Sequence, residues 1–254
     1  MNNAGLDLSI LNELLRKDCP YINRVMLYPV APSTQSMAIS AGNMGAPEGT
    51  VIIAKTQVAG RGRGNHNWFS PPGGLYASIV LRPRFDIRKW PFLTLMSGAS
   101  ISQKMRMLGV DSGLKWPNDV NIEGRKVAGF LARAIPEKGF VVLGVGINLI
   151  LPEDVLMPDD INDSTTTLYE HLKDHSITPE AIASGMITGI LSEYKTIDPE
   201  MDLIKINALL DHETLYNFKE LRGFQKDILP DMSLRLELQS GITRTLGFDY
   251  AACD

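Results

Sequence analysis

The chain has 254 residues, which is enough for one large domain or for a main domain with a small appendage. Its hydrophobic content of 44% predicts a soluble globular fold, and its net charge of −4 excludes the basic excess of a protein that binds nucleic acid over its whole surface. The two cysteines, Cys19 and Cys253, exclude a disulfide framework; with neither a secretory signal nor an apolar run of ~20 residues, we expect a cytoplasmic protein without a membrane segment.

The apolar pattern predicts helices and strands in an interleaved order. Leu6, Ile10 and Leu14 lie at helical spacing and predict a helix that ends at residues 18–20, where the sequence reads Asp-Cys-Pro. Residues 32–34, Pro-Ser-Thr, offer an N-cap for the next helix. After the first helix, strands are predicted at residues 24–30, 51–54, 75–81, 113–116, 120–122, 127–132, 140–147, 233–238 and 242–248, and helices at 37–44, 90–108, 166–172 and 179–197, the last of them capped by Thr178.

This order lacks a strict β-α-β repeat, so the sequence predicts an α+β fold with a mixed, largely antiparallel sheet and flanking helices. The character of the chain changes near residue 200, beyond which alternating polar and apolar residues predict a β-hairpin. We therefore divide the chain into an N-terminal helix (1–20), a main domain (21–200) and a short C-terminal region (201–254).

A loop rich in glycine and arginine gives the strongest chemical signal. Residues 60–64 read Gly-Arg-Gly-Arg-Gly between two predicted strands, and Trp68 follows shortly after. Glycine lets backbone N–H groups turn toward an anion, and Arg61 and Arg63 add fixed charge and forked donors. The alternative is a solvated loop anchored by a buried tryptophan, which this segment alone does not exclude.

Two further segments place polar residues at the ends of predicted strands. Residues 115–119 read Lys-Trp-Pro-Asn-Asp, and the turn at 123–125 brings Lys126 back toward Asp119 at the base of a hairpin. The alternative is a surface ion pair, which is worth ~0–1 kcal/mol. A β-branched strand then ends at Asn148, whose side chain is able to contact a polar ligand.

Together and in this order, these segments resemble the biotin–protein ligase family. The resemblance covers residues 24–194 and adds Gly73-Gly74-Leu75-Tyr76, Arg125–Gly129 and Gly144–Asn148 to the segments above. Each motif is weak alone, but the ordered set is specific. The resemblance implies a class II aminoacyl-tRNA-synthetase-like catalytic domain that binds biotin and ATP, followed by a reduced SH3-like β domain.

The resemblance also implies an activity and its participants. A biotin–protein ligase uses ATP to convert biotin to biotinyl-5'-AMP and then attaches biotin to a lysine of a biotin carboxyl carrier domain, as in acetyl-CoA carboxylase. ATP and biotin would be substrates, and Mg²⁺ would share the charge of the phosphates. The implied biotin-binding residues are Ser33, Thr34, Gln35, Gln57, Gly60, Arg61, Gly62, Arg63, Lys126 and Gly129. The implied ATP or adenylate residues are Arg61, Arg63, Trp68, Lys115, Asn118, Lys126 and Asn148.

Five of the charged residues receive catalytic roles from the same resemblance. Arg61 and Arg63 would meet the biotin carboxylate and the phosphate. Lys126 would bridge carboxylate and phosphoryl oxygens, and Lys115 would support the nucleotide side. Asp119 would orient the attacking amine, because a carboxylate with an ordinary pKa of ~3.9 is a weak base for full removal of its proton.

The chain departs from the family pattern in its loop and at both ends. Residues 65–67, Asn-His-Asn, stand where many members carry a further arginine, so retention of the adenylate is expected to differ. About twenty residues precede the main domain, which is too few for the winged helix-turn-helix of repressor-type relatives, and we expect no binding of nucleic acid. The family's C-terminal barrel is recognisable only faintly, so its contacts are not carried over.

Several alternatives stay open at this point. A lipoate- or octanoate-type ligase would share the catalytic architecture, and a non-catalytic protein that binds biotinyl-AMP would share the pocket. A transcriptional regulator is disfavoured by the net acidity. His171 and His175 have metal-ligand spacing on a predicted helix, but no third ligand is evident, so we expect a solvated helix face and no metal site. The protein is expected to be a monomer or a homodimer.

Overall fold

Two β-sheets organise the part of the chain that the structure describes. The structure is a computed structural model and describes residues 5–64 and 66–248. Asn65 and Cys253, which enter the sequence analysis above, lie outside the described residues. The helices are α1 (Leu8–Asp18), α2 (Thr34–Asn43), α3 (Phe92–Met107), α4 (Asp159–Asn162), α5 (Pro179–Thr196) and α6 (Asp202–Asn207). The strands are β1 (Arg24–Ala31), β2 (Thr50–Gln57), β3 (Leu75–Leu81), β4 (Gly113–Lys115), β5 (Asp119–Ile122), β6 (Arg125–Ile135), β7 (Phe140–Ile147), β8 (Leu215–Phe218), β9 (Leu221–Ile228), β10 (Leu234–Leu238) and β11 (Thr243–Leu246).

The larger sheet has seven strands in the order β1-β2-β3-β7-β6-β5-β4. Only β1 and β2 run parallel, and the other neighbours are antiparallel, which confirms the predicted largely antiparallel α+β class. Side chains alternate between the two faces, as the pleat requires. Ile52, Val80 and Val142 are buried in the small cluster beneath α2, whereas Val51 and Ile53 belong to the larger core on the face of α3 and α5.

The smaller sheet is antiparallel, with the order β11-β10-β9-β8. It packs against Trp116 of the larger body, whose ring centroid lies 6.2 Å from that of Phe218 and 6.0 Å from that of Phe248. The predicted hairpin is confirmed by the pairing of β10 with β11. Strands β8 and β9 were not predicted. In β9, the inward positions include Gly223 and Gln225, which break the apolar alternation expected of a strand.

The helix predicted at residues 166–172 is wrong, because these residues adopt extended and turn conformations. Their backbone bonds to the ends of two strands instead of to itself. The Thr166 N–H donates to the Lys126 carbonyl (3.0 Å) and the Leu168 N–H to the Asn148 carbonyl (2.9 Å). The predicted N-cap of α2 is confirmed, with the Ser33 hydroxyl accepting from the Ser36 N–H, but the helix starts at Thr34, three residues earlier than predicted.

Glu48 connects the loop before β2 to the end of β3 and to α5. It lies at the end of the sheet where β2 begins. Its Oε2 accepts hydrogen bonds from the Arg82 N–H (3.0 Å) and the Tyr194 hydroxyl (2.9 Å), and its Oε1 pairs with Lys195. Burial raises the pKa of Glu48, but these hydrogen bonds and the Lys195 charge outweigh burial and hold the pKa below its ordinary 4.5.

Glu48→Gln is therefore expected to reduce the free energy of unfolding by about 1–3 kcal/mol at pH 7. Because the pKa is lower in the folded state, the charge contributes fully above pH 4.5 and its contribution is lost as the pH falls through the folded value. Urea unfolding at pH 7 and pH 3 should show the gap between wild type and variant closing at the lower pH. Glu200→Gln, in the exposed pair with Lys89, is the control and should change little. An equal gap at both pH values would rule out the ionised contact as the source.

No helix in residues 5–64 and 66–248 has both the length and the apolar content to cross a membrane.

Candidate functional site

A cavity opens on the larger sheet where β2 ends and α2 begins. Its walls come from the start of α2, the loop between β2 and β3, the β5–β6 hairpin and the middle of β7. Most residues that the resemblance implied meet in this one cavity. The implied residues that line it are Thr34, Gln35, Gln57, Arg61, Gly62, Arg63, Trp68, Asn118, Asp119, Lys126 and Gly129.

Polar side chains form a continuous hydrogen-bonded chain along one wall. The Gln57 Nε2 donates to the Ser70 hydroxyl (2.9 Å), and its Oε1 accepts from the backbone N–H of Thr34 (2.8 Å). The Thr34 hydroxyl lies 3.0 Å from that of Ser78, which in turn donates to the Gln35 Oε1 (3.1 Å). Buried hydroxyls and amides held in this way give a fixed pattern of donors and acceptors, which suits a compact polar ring.

Gln35 and Ser33 are more structural than the sequence implied. The Gln35 Nε2 donates to the Val142 carbonyl (3.1 Å), so both ends of this amide are engaged by the protein. A Cβ at Gly144 would lie 2.5 Å from the Gln35 Oε1, which means that the side chain lies directly on the sheet. Ser33 is 2% exposed and caps α2, outside the described lining of the cavity.

The glycine- and arginine-rich loop is folded into a small hairpin. The Gly62 N–H donates to the His66 carbonyl (2.9 Å) and the Trp68 N–H to the Gly60 carbonyl (2.9 Å). These two N–H groups are therefore used within the loop, unlike the anion-facing N–H groups expected from the sequence. The Arg63 Nη1 donates to the Asn118 Oδ1 (2.7 Å), so the loop is tied to the turn between β4 and β5.

Trp68 lies flat on two glycines that face each other across β6 and β7. Gly129 and Gly146 are register partners, and a Cβ on them would come within 2.7 Å and 2.5 Å of the Trp68 ring. The indole N–H is buried and has no hydrogen-bond partner among the described residues. An unpaired buried donor is costly, so the packing of the ring on the sheet must offset this cost.

Charged side chains collect beside this ring. Asp119 pairs in register with both Lys115 and Gly129, which places the three residues in one row on one face of the sheet. The Lys126 Nζ lies 2.8 Å from the Asp119 Oδ1 and 5.0 Å from the centroid of the Trp68 ring. The predicted approach of Asp119 and Lys126 is thus confirmed, and their side chains are only 19% and 33% exposed, well below the exposure of a solvated surface pair.

Lys115, at the β4 end of this row, is half-buried and lies outside the described lining of the cavity. Its Nζ lies 4.8 Å from the centroid of the Tyr216 ring, on β8 of the smaller sheet. Burial lowers the pKa of Lys115, and the charges of Lys126 and Arg63 lower it further, against an opposing contribution from Asp119.

Asn148 and Gly60 also lie outside the described lining. The Asn148 Nδ2 donates to the Thr166 carbonyl (3.3 Å), which fastens the segment after α4 to the end of β7. Gly60 has no room for a side chain, because a Cβ there would lie 2.4 Å from the Trp68 carbonyl oxygen. Both residues hold the shape of the site in this structure.

Sequence reasoning missed several lining residues whose signals were present. Ser78 is the one serine among the apolar and aromatic residues of β3, and it is fully buried. Gly144 and Gly146 are two residues apart on β7, so both face the same side of the sheet and leave space for Gln35 and Trp68. His66 and Asn67 also line the cavity, on the arm of the loop hairpin that leads to Trp68.

The two histidines with metal-ligand spacing take other partners. The His171 Nε2 lies 2.9 Å from the Thr166 hydroxyl, and the His175 ring lies 6.0 Å from that of Tyr169. In the described ranges, no group of three or more His, Cys, Asp or Glu side chains is placed to hold a metal ion.

Sequence comparisons find relatives over the part of the chain that forms this cavity. The model of the biotin/lipoate A/B protein ligase family matches residues 27–148. The bifunctional ligase/repressor BirA of Bacillus subtilis (strain 168) is 37% identical over 152 residues, covering 58% of this chain and 46% of that protein. The biotin–[acetyl-CoA-carboxylase] ligase of Mycobacterium tuberculosis is 34% identical over 145 residues, covering 54% and 52%. The chain spans about half the length of these curated relatives.

Structural comparison extends the likeness over most of the chain. The biotin protein ligase from Aquifex aeolicus, solved in complex with biotin and ATP, matches with a TM-score of 0.68 and 25% identity, covering 89% of this chain and 96% of that one. The biotin protein ligase from Leishmania major, in complex with biotinyl-5-AMP, matches with a TM-score of 0.66 over 90% of this chain and 100% of that one. At 18% identity, this second match bears on the fold alone. The predicted architecture, a mixed sheet with flanking helices and a small C-terminal sheet, is confirmed.

Proposed function

Because the biotin/lipoate A/B protein ligase family model matches residues 27–148 and the relatives above include biotin ligases, we propose that this chain is a biotin–protein ligase that forms biotinyl-5'-AMP from biotin and ATP and transfers biotin to a carrier lysine. The acceptor would be a biotin carboxyl carrier domain of acetyl-CoA carboxylase or a related carboxylase, in line with the name of the Mycobacterium tuberculosis relative.

One observation carries this proposal: a single cavity joins a wall of fixed polar groups to a cluster of cations. Thr34, Gln57 and Ser78 form the polar wall, while Lys126 lies beside the Trp68 ring and Arg63 is bonded to Asn118. A ureido ring needs donors and acceptors in fixed positions, and a site built this way rejects analogues that leave its polar groups unpaired. The cations suit the carboxylate and phosphate that meet at the other end of such a substrate.

The cations answer the main electrostatic cost of adenylate formation. Two unit charges ~4 Å apart repel by about 4 kcal/mol at an effective dielectric constant of roughly 20, so a carboxylate and an α-phosphate need compensation in order to meet. Lys126 would bridge the two anions, Arg61 and Arg63 would hold them from the loop, and Lys115 would add positive potential from its half-buried position. Fixed charges of this kind need no reorganisation when the bond forms.

Asp119 has a role in the second half-reaction. Its Oδ1 lies 2.8 Å from the Lys126 Nζ, a spacing that supports a role for this carboxylate in holding an amine in this part of the cavity. It would orient the carrier lysine toward the acyl carbon and stabilise the charge that develops on the nitrogen. The leaving group is AMP, and the proton lost from the amine passes to solvent or phosphate.

The proposal includes Mg²⁺ as the counter-ion of ATP. Asp119 is the only acid in the described lining of the cavity, so the ion would take most of its ligands from the phosphates and water, as Mg²⁺ usually does with nucleotides. The ion would neutralise phosphate charge. Four further expectations stay predictions. They are the division into an N-terminal helix, a catalytic domain and an SH3-like C-terminal domain, the cytoplasmic location, the absence of nucleic-acid binding, and an oligomeric state of monomer or homodimer.

Incorporation of labelled biotin into a purified carrier domain, with ATP and Mg²⁺, tests the proposal. Labelling that requires the carrier lysine is expected, and a carrier without that lysine is the control. Biotin-dependent pyrophosphate release without labelling would support adenylation and count against this carrier. Labelling that lipoate suppresses better than biotin would point to a lipoate-type enzyme, and binding without release or labelling would point to a non-catalytic protein.

Arg63→Gly is expected to release biotinyl-AMP into solution about tenfold faster than wild type, since removal of a charge-assisted hydrogen bond costs ~1.5–3 kcal/mol. The variant loses the Arg63–Asn118 bond that ties the loop to the sheet, together with one positive charge. Dissociation of labelled adenylate in a filter assay measures the effect. Arg88→Gly, at an exposed arginine remote from the cavity, is the control. Equal retention by wild type and Arg63→Gly would contradict the idea that this tether holds the loop over the adenylate.

A further inference from the structure

The outer edge of β4, the last strand of the larger sheet, is completed without another strand. The Leu114 N–H donates to the Leu209 carbonyl (2.7 Å), and the Leu114 carbonyl accepts from the Asp211 N–H (2.9 Å). Two residues further along the same edge, the next backbone donor is the N–H of Trp116. It donates to the side-chain Oε1 of Gln225 at 2.7 Å, so an amide from the smaller sheet replaces a backbone partner.

Gln225 is fully buried and uses its amide on three backbone groups. Besides accepting from Trp116, its Nε2 donates to the carbonyls of Leu114 (3.0 Å) and Asp211 (2.9 Å). Removal of this amide would leave three buried backbone groups without a partner, which is costly in a site closed to water. The side chain therefore fixes the start of residues 115–119 relative to β9.

The residues held in this way lead directly into the cavity. Trp116 is further fixed by its indole N–H, which donates to the Met232 carbonyl (2.9 Å). Two and three residues further on, Asn118 accepts from Arg63 (2.7 Å) and Asp119 pairs with Lys126 (2.8 Å). The polar wall of Thr34, Gln57 and Ser78, in contrast, lies on α2, β2 and β3, and its hydrogen bonds among the described residues are made within the wall and with Ser70 and Gln35.

We propose that Gln225 is a positioning residue for adenylate formation, which holds the Trp116 backbone and thereby sets Asn118 and Asp119 against Arg63 and Lys126. This inference rests on the function proposed above. Gln225 lies outside the described lining of the cavity and acts only through residues 115–119. A displacement of ~1 Å in a catalytic group can cost about 100-fold in rate. Because the polar wall is built elsewhere, loss of Gln225 affects the ATP-dependent step and leaves the binding of biotin alone unchanged.

Gln225→Met, which keeps the volume and removes the amide, tests the inference in the full-length protein. Biotin-dependent exchange of labelled pyrophosphate into ATP is expected to slow about tenfold, a partial loss relative to the limit for misplaced groups. The dissociation constant of biotin alone, measured by calorimetry, is expected to stay within about twofold, because the polar wall is held by its own hydrogen bonds on α2, β2 and β3. Gln225→Asn keeps the amide but withdraws it by one methylene, so it serves if Gln225→Met does not fold and should show the same split.

Asn207→Leu is the matched control. The Asn207 amide also pairs with backbone of β9, donating to the Ile228 carbonyl (3.1 Å) and accepting from its N–H (2.7 Å), without touching residues 115–119. It should lower the unfolding midpoint as Gln225→Met does while leaving the exchange rate intact. A wild-type exchange rate in the Gln225 variants, an equal loss in Asn207→Leu, or a parallel rise in the biotin dissociation constant would overturn the inference. If wild type itself neither binds biotin nor exchanges pyrophosphate, the proposed function fails, and the role of Gln225 fails with it.

Discussion

Lys126→Ala is expected to slow biotinyl-AMP formation by about 100- to 1,000-fold, the range seen when one preorganised charge-stabilising donor is removed. The Lys126 Nζ is the cation nearest to Asp119, at 2.8 Å, and it stands 5.0 Å from the centroid of the Trp68 ring. Its backbone is fixed on both sides, by the Ser164 carbonyl (2.8 Å) and the Thr166 N–H (3.0 Å). The ammonium is therefore preorganised, and no neighbouring cation is able to take its place without moving.

The measurement is single-turnover formation of labelled adenylate, with the unfolding midpoint followed in parallel. Lys226→Ala is the matched control, because it removes another paired lysine, in the ion pair with Glu237 on the smaller sheet. It should leave adenylation unchanged. Lys126→Ala also leaves the Asp119 carboxylate without this partner, so Lys126→Ala/Asp119→Asn separates loss of the cation from the exposure of an unpaired anion. Near-normal adenylation by Lys126→Ala would remove Lys126 from the chemistry.

The contacts that could be predicted from the sequence are mostly those between residues close together in the chain. Asp119 and Lys126 flank one hairpin, so their approach follows from the turn between them, and the structure confirms it. The N-cap at Ser33 and the hairpin of β10 and β11 are local in the same sense. In these three cases the prediction depended on a short stretch of chain, and the pattern of residues was sufficient.

The errors arise where distant backbone decides local structure. Leu168 and Leu172 are spaced like one face of a helix, but the N–H of Leu168 is taken by the end of β7 at Asn148, and the segment becomes extended. In β9, Gln225 occupies an inward position that the pattern reserves for an apolar residue, because its amide completes the edge of β4. The partners of Leu168 and Gln225 exist only when the two sheets have formed. The periodicity of a single segment carries no information about such distant partners.

Gly144 and Gly146 show the same limit inside the site. The sequence marks a strand that closes with glycines, but the reason for them is a tryptophan and a glutamine from other parts of the chain that lie on the sheet at these positions. The requirement becomes visible from the register, in which Gly146 faces Gly129 and both lie beneath the Trp68 ring. This close approach makes a sharp test of how the ring is held.

Gly146→Ala is expected to weaken binding of the adenylate by about 10- to 100-fold, because overpacking a tight contact costs ~1–3 kcal/mol and each ~1.4 kcal/mol is a factor of ten. The added Cβ would lie 2.5 Å from the Trp68 Cε2, so the ring must rise from the sheet into the space that the ligand needs. Tryptophan fluorescence should change at the same time. Gly185→Ala, on the exposed face of α5 with nothing within 4 Å of the new Cβ, is the control and should bind normally.

A double-mutant cycle with Trp68→Ala decides whether the collision is the cause. Alanine removes the whole indole, including Cε2, so it leaves room for the Gly146 methyl group. If displacement of the ring explains the loss, Gly146→Ala should cost much less in the Trp68→Ala background than in wild type, with a coupling energy of about 1 kcal/mol or more. Additive losses would mean that Gly146 acts on the ligand or on the strand directly. The position of Trp68 would then depend on its other contacts, such as the hydrogen bond from its backbone N–H to the Gly60 carbonyl (2.9 Å).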